Sequence, residues 1–177
     1  MNIARGLAEE EAADFMRIGL AGHALAADAF VQRKPVARLF EEILGPGVSV
    51  STVSVRPSPV AGRDVMAIIG IAGESQGRVI FDMDLFTAVQ LAGAMLGEPS
   101  PGMTPLVRSS IAELASMAIG QAISRINDNG TRLRMSPPTV VTGANLVSYD
   151  QCFETLVAPI MTSFGEVRMN ITIQDLN

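Results

Sequence analysis

The 177 residues carry 13 Lys and Arg against 18 Asp and Glu, a net charge of −5, with 48% apolar and 18% charged residues. Such a chain can bury the core of one domain, which excludes disorder, and its few scattered basic residues exclude a nucleic-acid backbone, which needs several phosphates neutralised together. With no Trp and one Tyr there is no platform for stacking bases, and no apolar run reaches the ~20 residues of a membrane-spanning helix.

Residues 1–27 read as a helical extension, with Ile3, Leu7, Phe15, Met16 and Leu20 at rough helical spacing. Glu9, Glu10, Glu11 and Asp14 stand where a signal peptide would be basic, so the chain is expected in the cytoplasm. His23 and Cys152 are single residues of their type, which excludes an internal disulfide and a His/Cys metal set. Residues 28–177 read as the domain proper. Asp28 caps a helix with Phe30, Val31, Ala37, Phe40, Ile43 and Leu44 on one side, with Pro35 as a kink or restart and Gly45-Pro46-Gly47 as its stop.

The apolar period then changes from helical to two. Val48, Val50, Val53 and Val55 predict a strand with a bulge, closed by Pro57 and Pro59. Residues 65–71 and 78–83, joined by a turn over 73–77, predict a hairpin. Asp84 caps a helix over 85–96 that Gly97 and Pro99 stop. Thr104 caps a long helix, with Pro105 at its first position, running to about residue 126 before Asn127-Asp128-Asn129-Gly130. Four strands follow, over 133–136, 139–142, 153–162 and 166–174, with Phe164-Gly165 at a hairpin tip. Long alternating strands at the C-terminus offer edges for pairing between two copies. Asp82 and Asp84 flank a strand exit; the simplest reading makes Asp84 a cap and Asp82 an outward strand residue rather than a metal pair. No phosphate-binding loop, dinucleotide fingerprint or nucleophile elbow is present.

The long helix carries the informative pattern. At about 100° per residue, Ser109, Ser116 and Gly120 fall within about 60° of Glu113, while Val107, Ile111, Leu114, Ala118 and Ala122 collect opposite. The apolar side is the one a two-layer domain buries, so the Ser/Glu/Ser/Gly stripe faces solvent. An ordinary solvated face accounts for a Glu and two Ser but not for Gly120, which costs roughly 1 kcal/mol relative to Ala in a helix interior unless something must approach closely.

Ser109, Glu113, Ser116 and Pro138 resemble the signature of the CheC/CheX/FliY chemotaxis phosphatases: Ser, three residues, Glu, two residues, Asn, twenty-one residues, Pro. Spacing agrees at all four positions and identity at three. Flanking segments extend the similarity over residues 28–177: Asp28-Ala29-Phe30-Val31, the Ile68–Gly73 and Gly77–Phe81 runs, Ala94–Glu98, Pro138–Gly143 and Phe164-Gly165-Glu166. The resemblance implies an α+β, CheC-like fold, a mostly antiparallel sheet flanked by long helices, and a homodimer. It implies docking on a phosphorylated CheY-like response regulator and hydrolysis of its aspartyl phosphate, with no cofactor of its own and Mg2+ on the regulator. Glu113 would pair with the regulator's active-site lysine, and the residue at the Asn position would orient the attacking water; Ser109 and Gly120 would serve fit.

Ser116 departs from that pattern. Its hydroxyl is shorter than a carboxamide and rotates freely, so it holds a water farther back, and displacement by about 1 Å can cost 100-fold in rate. Two readings follow: a phosphatase of weak or lost activity, and a module that binds or sequesters the phosphorylated regulator without hydrolysis. A scaffold for an unrelated partner is a third.

Overall fold

The computed structural model describes residues 35–149 and 154–175; the expected helix over 1–27, the cap Asp28, His23 and Cys152 lie outside them. The described helices are α1 (Pro35–Leu44), α2 (Leu85–Leu96) and α3 (Pro105–Asp128). The strands are β1 (Ser49–Val50), β2 (Ser54–Pro57), β3 (Val60–Ala61), β4 (Val65–Gly73), β5 (Ser75–Met83), β6 (Leu133–Met135), β7 (Thr139–Thr142), β8 (Val147–Ser148), β9 (Glu154–Thr162) and β10 (Gly165–Asp175). Eight of these form one antiparallel sheet in the order β1-β9-β10-β5-β4-β6, with β2 also on β9 and β7 also on β4; β3 and β8 pair separately. This is the expected α+β architecture.

One side of the sheet carries the core. Strand alternation sends Val65, Ala67, Ile69 and Ile71 of β4, Val79, Phe81 and Met83 of β5, and Val167, Met169, Ile171 and Ile173 of β10 to that side. The helices meet them with Leu39 and Phe40 of α1, Ala88, Leu91 and Ala92 of α2, and the apolar side of α3. Phe40 and Phe81 stand with ring centroids 6.1 Å apart and tilted by 33°, within the range of favourable aromatic pairs.

Local chemistry fixes the helix ends. The Asp84 carboxylate accepts from the Thr87 N–H at 2.7 Å, and Gly97 ends α2 at φ 73, the left-handed region that a residue with a Cβ adopts at a cost. Thr104 accepts from the Val107 N–H at 3.2 Å at the start of α3, with Pro105 at the first helical position. The β4–β5 turn is tighter than the sequence suggests: Ser75, Gln76 and Gly77 already belong to β5 and pair with β10.

Two expectations are corrected. The long C-terminal strands are not edges: β10 lies between β9 and β5, and β9 is paired on its other side with β1 and β2. Among the described residues, the sheet instead ends on the short strands β1, β2, β6 and β7, which limits the unpaired backbone on display. Asp82 is not an outward residue but wholly buried, in register with Arg168 on the neighbouring strand. Its Oδ1 accepts from the Arg63 N–H at 2.6 Å, and its Oδ2 lies 2.5 Å from Arg168 Nη2, an ion pair not aligned as a hydrogen bond. Arg63 in turn donates Nη1 to the Glu166 carbonyl at 2.8 Å and meets the Glu166 carboxylate at 2.5 Å. Partners 86 residues apart in sequence leave no local trace, which is why the spacing of Asp82 and Asp84 misleads.

Breaking a buried ion pair leaves an uncompensated charge and costs several kcal/mol, whereas losing a helix cap costs about 1 kcal/mol. We therefore expect Asp82→Ala to destabilise the fold by about 3 kcal/mol, well beyond Asp84→Ala. Thermal unfolding followed by circular dichroism checks the order of the two losses, and equal losses would contradict the burial of Asp82.

Candidate functional site

Helix α3 is set on the sheet by its apolar side. Val107, Ile111, Leu114, Ala118, Ile119 and Ala122 are all buried, and rotating the helix would pull them out together. Ser110 is buried on the flank and donates its hydroxyl to the Leu106 carbonyl at 3.0 Å, which satisfies it within the helix. The rotation fixed in this way brings the four stripe residues to the outer side: Ser109 and Glu113 are exposed, Ser116 and Gly120 half-buried.

The C-terminal end of α3 is tied to the sheet by a two-way bond. Asn127 donates Nδ2 to the Leu133 carbonyl at 3.0 Å and accepts the Leu133 N–H on Oδ1 at 2.8 Å. Leu133 is buried, and Met135, two residues on along β6, shares its side of the strand and is exposed at the sheet edge. Its side chain reaches the helix at Gly120: a Cβ placed on Gly120 would lie 3.8 Å from Met135 Cε, ordinary van der Waals contact. Alanine would therefore fit at position 120, and nothing inside the described fold demands glycine there. Pro138 stands half-buried between β6 and β7, beside Ser136, which exchanges backbone and hydroxyl bonds with Gly70 at 2.9 Å.

Glu113 is the one carboxylate of the stripe, and it forms no ion pair or hydrogen bond among the described residues. Ser109 donates its hydroxyl to the Pro105 carbonyl at 3.1 Å, so its proton is engaged within the helix. Beside these polar groups stand exposed apolar side chains that the sequence reading left out of the stripe: Leu106 at 53% and Met117 at 37% exposure. At about 20° and 40° from Glu113 on the helical wheel, both were open to the same periodicity argument. Met135 was not, because only the β4–β6 pairing brings it beside α3.

Among the described residues, this face holds one carboxylate and two hydroxyls and no histidine, lysine or cysteine. It can pair with a cation, position a water, and let another surface approach closely over Gly120. Among the described residues, no helix is long and apolar enough to cross a membrane.

The family of the chemotaxis phosphatase CheX matches residues 65–161, more than half of the chain. The CheY-P phosphatase CheX of Thermotoga maritima is 30% identical over 96 residues, covering 51% of this chain; the matched region spans 62% of that protein's length. Among solved structures, the chemotaxis protein CheX of Desulfovibrio desulfuricans superimposes with a TM-score of 0.74 at 21% identity, over 84% of this chain and 98% of that one. CheX of Borrelia burgdorferi, solved as a CheX–CheY–BeF3–Mg2+ complex, gives a TM-score of 0.72 at 20% identity, over 84% and 97% of the two chains. The matched span includes all of α3 with Glu113 and Ser116, together with the strands β4 to β8 that surround it in sequence: the chain belongs to the chemotaxis phosphatase CheX family.

Proposed function

We propose that α3 is the docking element for the phosphorylated receiver of a CheY-type response regulator, and that the protein acts on the regulator's aspartyl phosphate in the cytoplasm. The observation that carries the reading is Glu113: an exposed carboxylate without a partner, midway along an outer helix side that glycine and serine keep slim, in a fold shared with CheX proteins. Glu113 would pair with a lysine of the regulator's phosphorylation site. Ser116, one turn further on, would hold the water that attacks phosphorus in line, yielding free aspartate and inorganic phosphate. Phosphoryl transfer asks for positioning and electrostatics rather than a covalent group, and this face supplies those two. The protein needs no cofactor of its own in this scheme, and Mg2+ sits on the regulator. Residues 28–177 form the docking domain, residues 1–27 an appendage, and the protein a homodimer for which β1, β2, β6 and β7 are the available sheet edges.

A specific observation favours the second reading, a module that binds the phosphorylated regulator without hydrolysing it. Ser116 has a half-buried, short side chain where a longer amide is expected, and among the described residues no bond holds its hydroxyl in one direction. Phosphate release from a phosphorylated CheY-type regulator separates the two. Acceleration above the regulator's own decay supports hydrolysis; measurable binding without acceleration leaves sequestration.

Three substitutions on α3 probe the scheme. Ser116→Asn should raise the dephosphorylation rate by about 100-fold, read by phosphate release, and an unchanged rate would remove the water-positioning role. Glu113→Ala should weaken regulator binding by about thirtyfold, the scale of losing one partner of a desolvated charge pair, while leaving the melting temperature unchanged because the residue is exposed. Gly120→Leu should block docking in a calorimetric titration with the fold intact, and undiminished binding would dispose of the close approach over Gly120.

A further inference from the structure

Resting on the docking role of α3, we propose that Leu106, Met117 and Met135 form an apolar ring around Glu113, and that this ring selects a partner whose cationic group is itself set among apolar side chains. The helix alone supplies two of the three. Leu106 lies two turns before Glu113 and Met117 one turn after it, about 10 Å and about 6 Å along the axis and on the same outer side. The third comes from the sheet: the Asn127–Leu133 clamp seats β6 against the helix, and Met135 reaches α3 beside Gly120, two turns beyond Glu113. All three are exposed in a chain that could have placed polar residues there.

The ring bears on what Glu113 can do. An ion pair in open water adds little, because water screens it and solvates each charge well. The same pair surrounded by apolar groups that expel water is worth far more and is penalised heavily if the partner lacks the matching charge. Charge complementarity therefore commits this surface to one occupant: a CheY-type receiver offering an ammonium group within an apolar rim. Methionine suits such a ring, since its unbranched, polarisable side chain refits to the contours it meets. The serines at 109 and 116 occupy the neighbouring column of the helix and leave that side low enough for the partner's phosphorylated pocket to come near.

The test is a calorimetric titration with a beryllofluoride-activated CheY receiver and Mg2+, using the full chain and the variants Leu106→Ser, Met117→Ser and Met135→Ser, each alone and combined with Glu113→Gln. Each apolar replacement should raise Kd about tenfold without changing the thermal unfolding curve. The penalty of Glu113→Gln should shrink from about thirtyfold in the parent chain to less than about threefold in the Met117→Ser background, a coupling that independent contacts would not show. If the three replacements leave Kd within about twofold while Glu113→Gln still weakens binding, the ring is overturned and docking on α3 stands. If neither set changes Kd, docking on α3 falls with it. Met117→Gln, close in length to methionine, serves should the serine variant unfold, and parent-like Kd and coupling in a folded Met117→Gln protein would equally overturn the ring.

Discussion

The rotational setting of α3 on the sheet is the constraint from which the rest follows. Ten side chains of that helix are buried, and they span the whole length from Val107 to Ile126. A helix held at so many points has one angular position, so the identity of its outer residues is decided by packing rather than by the outer residues themselves. Glu113, Ser116 and Gly120 contribute little to stability where they stand, and that leaves them free to be chosen for what they meet.

A second, independent lock acts on the opposite side of the sheet. Asp82, Arg168, Glu166 and Arg63 join β5, β10 and the segment after β3 through one charged network. The charge of Asp82 is compensated inside the protein, whereas that of Glu113 is left open to whatever arrives. The two acids sit in one domain under opposite rules: the buried one is spoken for by register partners, and the exposed one is not.

Much of this was legible before any coordinates. Asp84, Gly97, Thr104 and Pro105 mark helix ends by local hydrogen bonding and backbone preference, effects that act over three or four residues and so are written in adjacent sequence. The inner and outer sides of α3 could be read because a helix repeats its facing every 3.6 residues. Asp82 was misread and the β3–β8 pair missed because both depend on neighbours far along the chain, and two-residue strands carry too few side chains for an alternation to show. The interior position of β9 and β10 was hidden likewise: a strand's pattern tells which side is apolar, not who lies beside it. Met135 belongs to the same class, since only the strand order brings it next to Gly120.

The bond pair between Asn127 and Leu133 has a consequence for kinetics. It joins the end of a helix to the start of a strand at a sheet margin, where fraying would otherwise be expected, and so makes one stiff plate of two elements. A plate whose backbone is already shaped before encounter spends little ordering entropy on contact, so a visiting surface that matches it binds and leaves without any refolding of these two elements.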